Sequence, residues 1–194
     1  MRVMTFIGAG LATFAYASAA FAQAISLTLA NPQPDASALK PGLAVEYAYP
    51  ADIKWLSDAE SWFDYGSEVG EPLIGFDYPD TLAGEKALTS KQSEQVIARI
   101  TGYIRFDEAG SKQLDWWTND GLLVEIGGTQ VFKYDGRHPC ESNGAVDVTV
   151  PAPGWYEIEA IWFQRIGSAC LLMQWGEPGG DLGWTPNDAF AHKP

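Results

Sequence analysis

Gln95-Val-Ile-Ala-Arg-Ile-Thr-Gly-Tyr-Ile-Arg-Phe106 is the most regular stretch of the sequence. Val96, Ala98, Ile100, Gly102, Ile104 and Phe106 alternate with Gln95, Arg99, Thr101, Tyr103 and Arg105. Successive side chains of a strand point to opposite faces, so a period of two over this length specifies a half-buried strand. Glu108-Ala-Gly110-Ser supplies a turn, and Lys112 to Thr118 runs back. Asn119-Asp120-Gly121 signals a second turn, because Asn, Asp and Gly tolerate the backbone conformations that turns require. Leu122 to Ile126 and Thr129 to Phe132 are joined by Gly127-Gly128, a pair suited to a two-residue hairpin loop. Further strands are expected at Ala145 to Val150, Trp155 to Phe163 and Ala169 to Trp175. Lys133 to Gly144 reads as a long polar loop, and the Gly- and Pro-rich end, residues 176–194, should wrap over the sheet ends.

Upstream, Gly42 to Tyr49 reads as a strand ended by Pro50, and Pro72 to Tyr78 as an extended segment. Ser57-Asp-Ala-Glu60 has capping-box spacing and opens a short helix through Trp62. Many short strands, Gly/Pro turns and at most one or two short helices specify an all-β fold, an antiparallel sandwich or barrel. The length, 194 residues with 46% hydrophobic and 13% aromatic side chains, suits one domain with an ample core. With 25 Asp and Glu against 12 Lys and Arg, the net charge is −13. That balance excludes nucleic acid and an anionic membrane surface as partners, since both need a basic footprint.

Arg2, the apolar run from Val3 to Ala20 and the small-residue pattern Ala20-Phe21-Ala22 read as a secretory signal peptide over residues 1–22. Cleavage is expected after Ala22, with Ala19 the nearby alternative. The run is too weakly apolar for a permanent anchor, so no membrane span is expected in the mature chain. Residues 23–41, with three prolines and no period, read as a flexible lead-in, and 42–194 as the single folded domain. In an oxidising compartment two cysteines most simply form one disulfide, Cys140 to Cys170, worth about 3.5 kcal/mol on the chain-entropy model.

From about Gly42 to Phe190 the chain resembles the protective-antigen-type (PA14) domain. Four pieces carry the resemblance in order. They are Gly42-Leu-Ala-Val-Glu-Tyr-Ala-Tyr49, the Ala98 to Gly110 strand and turn, Thr118-Asn-Asp-Gly-Leu-Leu-Val-Glu-Ile-Gly-Gly-Thr-Gln-Val131, and Pro153 to Ile158 followed by Cys170 to Trp175. The resemblance implies a β-sandwich, often used as a carbohydrate-binding module. In its lectin-type members two consecutive Asp residues joined by a cis peptide bind Ca²⁺, which in turn binds sugar hydroxyls. Adjacent strand side chains normally face opposite ways, and a cis peptide brings both carboxylates to one side. The matching pair here is Asn119-Asp120, which lacks the first carboxylate. Asn119 and Asp120 are the metal and ligand-binding candidates that the resemblance implies, with calcium the implied cofactor.

Trp116 and Trp117 are consecutive on a strand, so one belongs in the core and the other can stack on a sugar ring. Trp117 adjoins the signature turn and is the candidate exposed platform. His138 and His192 stand alone in polar segments and read as solvated side chains. No nucleophile elbow or phosphate loop is present, so no catalytic residue is assigned. The function expected is an exported, non-catalytic carbohydrate-binding module in the periplasm or at the cell surface, its partner a carbohydrate or glycosylated surface. The alternatives are a structural or protein-interaction domain with an envelope-protein partner and, behind it, a small glycoside hydrolase.

Overall fold

The computed structural model describes residues 24–194, so the expected signal peptide, residues 1–22, lies outside the described residues. The chain runs through β1 (Ile25–Ser26), β2 (Lys40–Pro41), β3 (Ala44–Ala48), α1 (Leu56–Trp62), β4 (Glu68–Val69) and β5 (Asp77–Tyr78). The long strands follow: β6 (Val96–Phe106), β7 (Gly110–Asn119), β8 (Leu122–Ile126) and β9 (Thr129–Tyr134). β10 (Glu141–Ser142), β11 (Val146–Val150), β12 (Gly154–Gln164), β13 (Cys170–Gly176), β14 (Gly183–Trp184) and β15 (Phe190–His192) complete it.

Two sheets face each other. The first runs β1-β11-β7-β13-β14, with β10 beside β7 and β5 beside β13. The second runs β2-β15-β6-β12-β8-β9, with β3 beside β6 and β4 beside β3. All pairings are antiparallel except β1 on β11. Trp116, Trp162, Tyr47, Tyr156, Phe76 and Phe190 fill the space between the sheets and are fully buried. The β-sandwich expected from the alternating pattern is the observed fold.

The Gln95–Phe106 stretch is the centre of the second sheet, hydrogen-bonded over its length to β12. Its pattern is broken at two places, Ile97 and Tyr103, both buried. Ile97 faces away from the main core but is also buried, because Leu56, Ala59 and Phe63 of the α1 region cover it together with Ala48, Ile53 and Phe163. The strand is therefore buried on both faces at its start, and further along its outer face is covered again at Tyr103, where Trp155 and Lys193 lie against the ring. Gly127 and Gly128 take φ of +60° and +72°, the left-handed pair that a tight β8–β9 turn demands.

Residues 24–41 are not the loose lead-in expected from their prolines. Ile25 and Ser26 pair with Val148 and Thr149, Leu27 is buried, and Lys40 and Pro41 pair with β15. Gln33 fixes the segment between them. Its side-chain amide donates to the carbonyls of Ala30 and Trp155 at 2.7 and 2.9 Å and accepts the Trp155 N–H at 2.9 Å. Prolines remove backbone donors, and side-chain and edge contacts supply the order instead. The C-terminal segment likewise adds β14 and β15 to the two sheets rather than only wrapping over their ends. No helix among the described residues is long and apolar enough to cross a membrane.

Candidate functional site

β7 ends at Asn119, and the Asn119–Asp120 peptide is cis. Gly121 must follow, because a Cβ there would meet the Phe163 ring at 2.2 Å. The Asp120 N–H donates to the Phe163 carbonyl and the Phe163 N–H to the Gly121 carbonyl, each at 3.0 Å, which seats the corner on β12. The hydroxyl of Thr118 donates to the Asp120 carbonyl at 3.1 Å. What reads as a simple turn in the sequence is thus a fixed corner joining the two sheets.

Both signature side chains are buried. The Asp120 carboxylate accepts the backbone N–H of Arg165 at 2.8 Å. Burial pushes its carboxyl above the usual Asp value, while the N–H groups of Arg165 and His138 and the charges of His138 and Arg137 pull the other way. Asn119 donates from Nδ2 to the Ser168 hydroxyl at 3.3 Å. Two loops, 135–140 and 165–169, therefore close over the corner. The Cys140–Cys170 disulfide, with Cα atoms 5.8 Å apart, ties one to the strand that follows the other, and Cys170 lies directly opposite Asn119 in the sheet.

This donor set does not fit calcium, which takes six to eight oxygens, several of them carboxylate. Asp120 is the one carboxylate of the pair, its carboxylate already accepts an N–H, and the Arg137 charge already bears on it. Among the described residues the sole cluster of three side chains with metal-ligand spacing is Asp80 with Cys140 and Cys170, whose sulfurs are consumed in the disulfide.

Trp117 faces outward on β7 but is not the open platform expected of it. It is half-buried, and Trp184 of β14 stands edge-on to it with ring centroids 6.1 Å apart. Trp184, 54% exposed, is the accessible member of the pair, and it went unnoticed in the sequence because it lies in a Gly/Pro-rich segment. Trp116 is the core member of the consecutive pair. The two histidines are not solvated either. His192 is buried with Nδ1 3.1 Å from the Gly42 carbonyl. The His138 ring lies 4.0 Å from that of Tyr134, and burial holds its imidazole below the ordinary value.

Beside the corner opens a cleft of about 520 Å³ lined by Lys54, Trp55, Tyr134, Asp135, Arg137 and Arg165. Its walls are tied together. Asp52 pairs with Lys54 at 2.7 Å and with Arg165 at 3.0 Å, and the Leu56 N–H donates to Asp135 at 2.7 Å. Trp55 is 52% exposed. Sequence reading missed this group because its members are spread over more than a hundred residues. The one available signal was the scarcity of cations, 12 in the chain, against which a local gathering stands out.

No family model and no curated protein matches the chain. Solved structures do. The PA14 domain of the MpAFP antifreeze protein superposes with a TM-score of 0.68 at 17% identity, over 85% of this chain and 96% of that one. The PA14 sugar-binding domain from an RTX adhesin gives 0.62 at 18% identity, over 78% of this chain and 98% of that one. The fold is that of a PA14 domain. The A domain of epithelial adhesin 9 from Candida glabrata, solved in complex with Galβ1-3GlcNAc, gives 0.64 at 14% identity over 88% of this chain and 97% of its own. At these identities the likeness establishes a PA14-like sandwich and leaves the ligand to be argued from this chain's own residues.

Proposed function

We propose that this PA14-like protein is an exported, non-catalytic carbohydrate-binding module whose recognition end is the Asn119–Asp120 corner with the loops around it. The observation that carries the reading is the open cleft beside that corner, where three tied segments bring an exposed tryptophan and several polar side chains together. Sugar sites combine a flat apolar surface for the ring face with a few fixed polar groups for the hydroxyls. Sugar-binding structures with the same fold, the RTX adhesin domain and the epithelial adhesin, support it. Asn119 and Asp120 act from beneath, holding Ser168 and the Arg165 backbone in place. Recognition here is calcium-independent, in keeping with a single, already engaged carboxylate at the corner.

The leader-like start and the Cys140–Cys170 disulfide support export to a periplasmic or surface location, with a glycosylated surface as partner. The alternative envelope-interaction role relied on residues 23–41 as a tether, and their described part is instead docked on the sandwich. A glycan array probed with oxidised, folded protein, once with calcium and once with chelator, tests the reading. Binding is expected in both conditions. Absence of binding in both would sink the carbohydrate assignment, and loss under chelator alone would overturn its calcium-free form.

A further inference from the structure

The cleft beside the Asn119–Asp120 corner has a sign opposite to the rest of the protein. Three of the chain's 12 cationic side chains, Lys54, Arg137 and Arg165, line it, on a molecule whose net charge is −13. Their local compensation is incomplete. Asp52 is shared between Lys54 and Arg165, so one carboxylate answers two cations. Asp135 is engaged by the Leu56 N–H, with Lys133 4.0 Å away. Among the described residues no carboxylate lies within ion-pair distance of Arg137, whose side chain is exposed at the rim.

We infer that this cleft binds an acidic sugar, one carrying a carboxylate or sulfate, with the anionic group on Arg137 and the sugar face on Trp55. The inference rests on the carbohydrate reading above and names its ligand class. A guanidinium presents a planar fork of N–H donors that matches an oxyanion in two parallel hydrogen bonds, and such charge-assisted bonds are roughly twice as strong as neutral ones. Trp55 offers a half-exposed ring in the same cleft, which Tyr134 also lines. The volume, about 520 Å³, lies within the range of small-ligand sites.

The walls are also set before any ligand arrives. Asp52 clamps Lys54 to Arg165, the Arg165 N–H is held by Asp120, and Asp135 holds the start of α1. Arg137 lies three residues before Cys140, whose bond to Cys170 limits how far the loop can travel. A site assembled in advance loses less ordering entropy on binding. Elsewhere the acidic surface repels anions, so an acidic glycan is drawn to this one cleft and not to the molecule at large.

Titration calorimetry on the oxidised protein tests this with 3′-sialyllactose and 3′-sulfolactose against lactose, together with amide and indole NMR shifts. At least one acidic sugar is expected to bind about tenfold or more tightly than lactose, a gap of about 1.4 kcal/mol. Shifts should centre on the Trp55 indole and the Arg165 amide. Arg137→Ala should weaken the acidic sugars about tenfold or more and so close their gap to lactose, while Arg137→Lys, which keeps the charge without the fork, should fall between. Preference for the carboxylated over the sulfated sugar, or the reverse, identifies the anionic group. Equal affinity for acidic and neutral sugars, an unaltered preference in Arg137→Ala, or shifts centred elsewhere would overturn the acidic-sugar inference while leaving the carbohydrate reading standing. Binding of none of the three would refute the inference, and with a blank glycan array it would remove that reading too.

Discussion

His138 is held among groups that pull its charge in both directions. Its ring lies against Tyr134, its Nδ1 is 3.7 Å from Glu141, and Asp120 is close enough to favour the protonated form. Burial outweighs these attractions and depresses its pKa below 6.5. A histidine lowered on folding contributes stability that is complete above 6.5 and lost as pH falls through the folded value. Asp120 acts in the opposite sense, its raised carboxyl contributing stability at low pH that is lost as pH rises through its folded value. The urea midpoint of the wild type is therefore expected to fall further between pH 7 and pH 5 than that of His138→Asn. Parallel pH profiles for the two proteins would show that burial of the imidazole is not felt. None of this was readable in advance. The sequence marks His138 as a lone histidine in a polar loop, whereas its surroundings come from residues brought there by β7, β9 and the disulfide.

The elements show which local rules survive tertiary competition. Alternation located β6 to within a residue, and the Gly127-Gly128 pair located the β8–β9 turn, because both signals are written within the segment they shape. The capping box did not form. α1 begins at Leu56, with Trp55 as the residue before it, and no side chain of its own segment caps it. The first N–H is taken instead by Asp135, which lies 79 residues further along. Ser57→Ala is accordingly expected to change unfolding free energy by less than about 0.5 kcal/mol, whereas Asp135→Ala should cost about 1 kcal/mol. Equal losses measured by urea denaturation would return the capping role to Ser57. The lead-in failed for the same reason. Its order comes from Val148, Thr149, Trp155 and β15, none of which proline content can report.

At the scale of the molecule, pattern specified two-sided strands and therefore a sandwich, but not which strand lies beside which. β6 pairs with β12 along eleven residue pairs although some fifty residues separate them, and only the folded core decides that neighbour. The signature motif carried more information, since the resemblance ordered four segments at once and located the corner where the loops converge. The cationic cleft escaped, being assembled from the segment before α1, the end of β9 with the loop after it, and the loop after β12. One long-range link was legible, because two cysteines allow one pairing. Its loop spans 30 residues, so replacing both cysteines by alanine should lower stability by about 3.5 kcal/mol. Calorimetric melting of the double variant checks this, and an unchanged Tm would show the loop to be held by its other contacts.

The short parallel strand β1 has a consequence for how the protein stays apart from its own copies. It covers the outer rim of β11, and the Leu27 N–H extends that cover to the Thr149 carbonyl. A sheet rim left open is a template on which a strand from another molecule can grow. Residues 25–27 occupy that rim, so removing them is expected to raise self-association, which light scattering would register. A version trimmed at Gly42, where the strand pattern first becomes obvious, would keep the β6–β12 centre and expose the rim of β11.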